Sequence, residues 1–200
     1  HAENGAPELL AKNLNVHIVN AGDGTHEHPT QALLDLFTLR EKKGKISGLN
    51  VTILGDILHS RVARSNLWAL PKLGAKGTLC GPPALLPEDI IKPFGKFARI
   101  ERDMKKAVKH ADAVNVLRIQ KERQHQGLIS SMEDYTEHFG LDRKKMAWLK
   151  KDCIVMHPGP MNRGLEIESE VADGKHSVIL EQVTNGIAVR MAALYLLAGS

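Results

Sequence analysis

The run Val51-Thr52-Ile53-Leu54-Gly55-Asp56-Ile57-Leu58-His59-Ser60-Arg61 decides the fold of this 200-residue chain. Its first four residues form a compact apolar run, β-branched at three positions, and Gly55-Asp56 turns it. From Ser60 to Leu73 apolar residues return at helical spacing. A strand, a loop and a helix in that order make one unit of a parallel α/β layer.

The same alternation continues toward the C-terminus. Strands are expected at Gly77–Gly81, broken by Gly81-Pro82-Pro83, then at Phe97–Glu101, Ala113–Ile119 and Asp152–Met156. Helices are expected at Glu88–Lys96 and Met104–His110, with further helical pieces at Ser130–His138 and Asp142–Lys150. The polar stretch that begins at Gln124 reads as a loop suited to a place near a site. Alternation of this kind predicts an α/β protein with an open, mostly parallel sheet and helices on both faces, and ligands in such sheets lie outside the carboxyl ends of the strands.

Toward the N-terminus, Asn15–Val19 reads as a short strand and Pro29–Lys43 as a helix with Leu33, Leu36 and Phe37 on one face and Gly44 as its stop. Between them lies Asn20-Ala21-Gly22-Asp23-Gly24-Thr25-His26-Glu27-His28-Pro29-Thr30-Gln31. Proline in a first helical turn costs little, and the unpaired amides there favour negative charge, so His28 stands where chemistry is within reach. On spacing alone a cap on a surface helix is the better reading of His28, and the rest of the chain has to decide. Lys45–Asn50 is turn-rich and marks a domain boundary. The last helix, Asn185–Leu197, is apolar nearly all round and is expected to be buried.

Composition narrows the function classes. Hydrophobic residues make up 42% of the chain, enough for a real core. The net charge of +4 is spread among acids rather than clustered, and four Phe, two Tyr and two Trp give no aromatic interleaving, which argues against nucleic acid as a partner. Cys80 and Cys153 match no metal or redox spacing and read as buried thiols of a reducing, cytoplasmic compartment. No apolar run reaches membrane-spanning length and no signal-peptide pattern is present. His26 and His28 lack a third ligand at a recognisable spacing, so no metal is expected, and the absence of GxGxxG and of a Gly-rich Lys-Ser/Thr loop excludes dinucleotide and P-loop chemistry.

Chemistry-bearing residues gather where strands end. Arg61 follows the first strand, Arg118 and Gln120 follow the strand at Val114–Leu117, and His157-Pro158-Gly159-Pro160 follows the last. Arginine forks match carboxylates bidentately, so two arginines and a glutamine make a cradle for a substrate with two carboxylates. Any one of these arginines alone is as well explained by a surface ion pair.

Taken together, Gly22-Asp23-Gly24, His28-Pro29-Thr30-Gln31-Ala32-Leu33-Leu34-Asp35, Gly55-Asp56 to Ser60-Arg61, Arg118 to Arg123, and His157-Pro158-Gly159-Pro160-Met161-Asn162-Arg163-Gly164 with Gln182 to Gly186 resemble the catalytic chains of the aspartate carbamoyltransferase family. The resemblance runs in order along the whole chain. The sister ornithine family carries a cysteine where Thr30 stands and His-Cys-Leu-Pro where His157–Pro160 stands, so the departures point to aspartate as acceptor.

The resemblance implies transfer of a carbamoyl group from carbamoyl phosphate to the amine of L-aspartate, in pyrimidine biosynthesis and without a cofactor. It implies that His28 stabilises the carbamoyl oxygen as charge develops and that Gln31 holds the carbamoyl amide. Arg61, Arg118 and Gln120 would bind the aspartate carboxylates, and the carbonyls of Gly159 and Pro160 would orient the incoming amine. It further implies a homotrimer with active sites shared between subunits, and leaves room for a regulatory chain. The family's phosphate loop, with its Ser-Thr-Arg-Thr pattern, has no counterpart after His1, so residues 1–44 are expected to be the tail of the carbamoyl phosphate domain, 45–182 the aspartate domain, and 183–200 a helix returning to the first domain. The 200-residue chain by itself is then expected to be inactive and to bind carbamoyl phosphate poorly, and its last helix to lack part of its burial partner. The alternative is a non-catalytic scaffold or interaction module that keeps the aspartate domain.

Overall fold

A computed structural model describes residues 1–120 and 128–198. Its centre is a five-stranded sheet of order β3-β2-β1-β4-β5, parallel throughout. The strands are β1 (Asn50–Leu54), β2 (Lys76–Cys80), β3 (Ala98–Ile100), β4 (Ala113–Val116) and β5 (Ile154–Met156). In register, Ile53 lies between Leu79 on β2 and Asn115 on β4. The chain steps outward from β1 to β3 and then returns to place β4 on the other side of β1, so a switch in strand order falls between β1 and β4.

Period-two alternation splits the strand residues between two cores. Val51, Ile53, Leu79 and Ala113 face a core shared with α2 (Pro29–Lys43) and α3 (Arg61–Lys72), through Leu39, Leu67 and Leu70. Leu54, Cys80, Val114, Val116 and Val155 face the opposite core, with α4 (Met104–Lys109) and α6 (Ser169–Ala172). Helices therefore cover both faces, which is why the strands read as nearly continuous apolar runs. The remaining helices are α1 (Ala6–Asn13), α5 (Met132–Phe139) and α7 (Ile179–Ala198).

Helix ends follow local chemistry. Ser60 caps α3 by accepting from the Ala63 N–H at 3.1 Å, and Gly44 ends α2 at φ 76°, a conformation that suits glycine. Cys80 and Cys153 are free and buried, and burial pushes both thiols up to about 12, which keeps them protonated.

Several sequence expectations give way to tertiary structure. Residues 15–19 form no strand: the chain bends at Asn15 and Val16, Val16 is exposed, and no ladder partner lies beside the segment among the described residues. Residues 88–97 form a 3₁₀ segment interrupted at Gly95 (φ 49°) rather than an α-helix. Of 142–150 only Lys145–Trp148 winds, as a 3₁₀ turn, because the Lys145 ammonium turns inward to the Gly140 carbonyl at 2.6 Å. On α2, Leu36 is buried but Leu33 is exposed; the face turned inward carries Gln31, Ala32, Leu34, Asp35, Thr38 and Leu39. Helix α7 is not buried as a whole: it lies along α2, and one neighbouring helix cannot cover a helix that is apolar on every side, so Ile187, Leu194 and Tyr195 stay exposed. The expected loop from Gln124 and the motif residues Lys121, Glu122 and Arg123 lie outside the described residues.

Candidate active site

The strand-order switch opens a cavity of about 260 Å³ at the carboxyl ends of β1, β4 and β5. His28 and Gln31 enter it from the start of α2, and Arg61 from the first position of α3. Arg118 and Gln120 reach it from the loop after β4, and Gly159 and Pro160 from the loop after β5. Ser60, Val62, Leu117 and Pro158 complete the lining; Ser60 and Pro158 lie inside motifs quoted from the sequence, but none of the four carries a role there, since each supplies shape rather than charge.

His28 is set by its surroundings on three sides. Its backbone N–H donates to Ser65 Oγ on α3 at 2.8 Å, and Ser65 in turn is hydrogen-bonded to the Glu27 carboxylate. The Thr30 hydroxyl stands 3.3 Å from Nδ1; where it donates there, the ring proton lies on Nε2. Burial, with the positive charges of Arg61 and Arg190 nearby, lowers the imidazole to about 4, so the ring is neutral at pH 7.

Arg61 is brought to its place by the turn before it. The buried Asp56 carboxylate accepts from the His59 backbone N–H at 3.2 Å and also holds His59 Nδ1 at 3.0 Å. The Gln120 amide donates to the His59 carbonyl at 3.3 Å, linking the loops after β1 and β4.

The loop after β5 is organised by a wholly buried pair, His157 and Glu166. The Gly159 N–H donates to His157 Nδ1 at 2.9 Å, so Nε2 carries the proton and donates to Glu166 Oε1 at 3.2 Å. Glu166 also accepts from the Asn162 backbone N–H at 2.5 Å and its side-chain amide at 3.1 Å. Glu166 lies nine residues beyond the strand-end histidine it braces, a spacing that carries no sequence signal.

Beneath the cavity Asp35 is buried and accepts from four side-chain amides: Gln31 at 2.9 Å, Gln182 at 2.7 Å, Asn66 at 2.8 Å and Asn115 at 3.1 Å. A lone aspartate inside the apolar run Leu33-Leu34-Asp35-Leu36-Phe37 was the available signal, since a charge in such a run is solvated or specifically bound. Among the described residues no group of three or more His, Cys, Asp or Glu could hold a metal ion. His26 Nδ1 is instead engaged by Asp23 at 2.9 Å. Among the described residues no helix is long and apolar enough to cross a membrane.

Comparison with known proteins matches residues 47–197 to the Asp/Orn-binding domain, and residues 1–41 to the carbamoyl-P-binding domain, of aspartate/ornithine carbamoyltransferases. The chain belongs to this carbamoyltransferase family. Over all 200 residues it is 56% identical to an aspartate carbamoyltransferase catalytic subunit of Heliobacterium modesticaldum, and it spans 63% of that relative's length. The carbamoyltransferase fold is equally clear in solved structures. Ornithine carbamoyltransferase from Pyrococcus furiosus superposes with a TM-score of 0.88 at 30% identity, covering 99% of this chain and 64% of that one. Aspartate transcarbamoylase from Trypanosoma cruzi in complex with carbamoyl phosphate gives 0.87 at 29% identity, covering 98% and 63%.

Proposed function

We propose that this chain carries the acceptor half of an aspartate carbamoyltransferase: the enzyme joins the carbamoyl group of carbamoyl phosphate to the amine of L-aspartate, releasing N-carbamoyl-L-aspartate and phosphate. One observation carries the reading. His28, Gln31, Arg61, Arg118, Gln120, Gly159 and Pro160, drawn from four separate segments, line a single cavity. A non-catalytic scaffold has no physical need for that convergence. The catalytic-subunit relatives, 56% identical over the chain, favour aspartate as the acceptor.

In this proposal the neutral aspartate amine attacks the carbamoyl carbon, a tetrahedral intermediate forms, and the C–O bond to phosphate breaks as a proton from the amine passes to the departing phosphate. Neutral His28 donates from Nε2 to the carbonyl oxygen as negative charge builds there, a preorganised donor in a site partly screened from water. The dipole of α2, whose N-terminus lies beside His28, adds partial positive charge on the same side. Gln31 accepts from the carbamoyl NH₂ through its side-chain oxygen. Arg61 and Arg118 clamp the two carboxylates, with Gln120 beside them, and the carbonyls of Gly159 and Pro160 hold the amine in line for attack.

The same proposal takes residues 1–44 as part of the carbamoyl phosphate domain, 45–182 as the aspartate domain and 183–200 as the helix that returns to the first. It includes a cytoplasmic homotrimer whose shared sites supply the phosphate-gripping groups, and a place in pyrimidine biosynthesis. The test is formation of N-carbamoyl-L-aspartate by the full-length gene product carrying this segment. Saturable turnover with aspartate, and far less with ornithine, supports the reading; ornithine preferred over aspartate, or no turnover with either, overturns it.

A further inference from the structure

We infer that Asp35 is a positioning residue of this site: its buried carboxylate fixes the Gln31 amide so that the amide oxygen faces the carbamoyl group. The inference rests on the carbamoyltransferase reading above.

Asp35 is 1% exposed, and its four partners are neutral amides. Oδ1 accepts from Gln31 and Gln182, and Oδ2 from Asn66 and Asn115. A carboxylate can only accept, so every amide must turn its NH₂ inward and its oxygen outward. Burial raises the Asp35 pKa while the four donors pull against it.

Two neighbours show that the constraint is enforced. The outward oxygen of Gln182 accepts the His157 backbone N–H at 2.9 Å. The oxygen of Asn115 is buried with no hydrogen-bond partner among the described residues, a cost that goes with presenting the NH₂ to Asp35. For Gln31, which lines the cavity, the same rule turns the oxygen toward the space where the carbamoyl NH₂ would lie. The four amides also tie Asp35 to the segments that carry the site. Gln31 is on α2; Asn66 is on α3 after Arg61; Asn115 is on β4 ahead of Arg118; and Gln182 on α7 holds His157, two residues before Gly159. An apolar side chain in place of Asp35 would strand four buried amide donors, so the carboxylate and the four amides hold one another in a single arrangement.

The deciding substitution is Asp35→Asn, which keeps the shape but puts an NH₂ group against two amide donors. It is made in the full-length gene product, alone and with Gln31→Ala, and kcat is compared. If Asp35 acts through Gln31, Asp35→Asn lowers kcat by about 30-fold or more, yet by less than about threefold in the Gln31→Ala background. An equal loss in both backgrounds, or no loss in a folded variant, overturns the inference.

A second readout does not depend on turnover. In the ¹⁵N spectrum of the chain, the Gln31 side-chain amide, assigned by its loss in Gln31→Ala, is expected to exchange with solvent far more slowly than an exposed glutamine and to lose that protection in Asp35→Asn. Fast exchange in the unsubstituted protein overturns the inference even where the asparagine variant does not fold. Absence of carbamoyl transfer by the unsubstituted enzyme instead overturns the functional reading, and the amide measurement then decides the role of Asp35 alone.

Discussion

The guanidinium of Arg61 lies against the α-carbon of Gly22, so close that a Cβ on Gly22 would stand 2.5 Å from Arg61 Cζ. Gly22 also has φ +119°, a conformation that L side chains rarely adopt. The turn before α2 and the first residue of α3 are thus fitted to each other. Gly22→Ala is expected to cost about 1–3 kcal/mol in backbone strain. It should also raise the KM for aspartate about tenfold or more by displacing Arg61. Steady-state kinetics with urea unfolding on the same variant checks both effects; an unchanged KM would remove Arg61 from the proposed cradle.

Arg118 is expected to act on one substrate only. Arg118→Ala should raise the KM for aspartate strongly and leave that for carbamoyl phosphate within about threefold, the pattern of lost binding to one ligand. Arg118→Lys should recover little, because a point charge does not replace a planar fork. Paired saturation curves for the two substrates measure the split.

His28 makes a prediction in pH. An unfolded imidazole takes up its proton near 6.5 and the folded one near 4, so between these values the unfolded state holds more protons. This contribution to stability is present above about pH 6.5 and declines as pH falls toward 4. His28→Gln should flatten that part of the stability profile, and urea midpoints at pH 7 and pH 5 show whether it does. The neutral ring should also leave turnover free of any His28 protonation step above about pH 5.

The buried pair of His157 and Glu166 should be costly to break from one side. His157→Phe removes the acceptor for the Gly159 N–H and one donor to a carboxylate that has no exposure to water. A loss of about 3–5 kcal/mol in urea unfolding is expected. Glu166→Gln, which keeps an acceptor for His157 but turns an NH₂ group toward the other partners, should cost less.

The same pattern separates what was legible in the sequence from what was not. Strand positions could be read because strands buried on both faces are written as unbroken apolar runs, as in Val51–Leu54 and Ala113–Val116. The residues placed at strand ends were legible only jointly: any one arginine there fits a surface ion pair, but Arg61, Arg118 and Gln120 fall at the ends of strands of one parallel sheet and line one cavity. Residues 15–19 misled because a short β-branched run becomes a strand only with a neighbour to pair with, and the chain bends there instead. Asp35, Asn66, Asn115 and Gln182 passed unassigned because they are spread along the chain from 35 to 182 and meet only in space.

By itself the sequence determined the alternation of strands and helices, the parallel sheet and the set of polar residues at its carboxyl edge, because these depend on local periodicity and residue type. The tertiary structure decided the rest: the strand order that puts β4 beside β1 and opens the cavity, the approach of Arg61 to Gly22, and the buried carboxylate that turns four amides the same way. Those features arise from contacts between residues distant along the chain, where the burial of one group fixes the orientation of another.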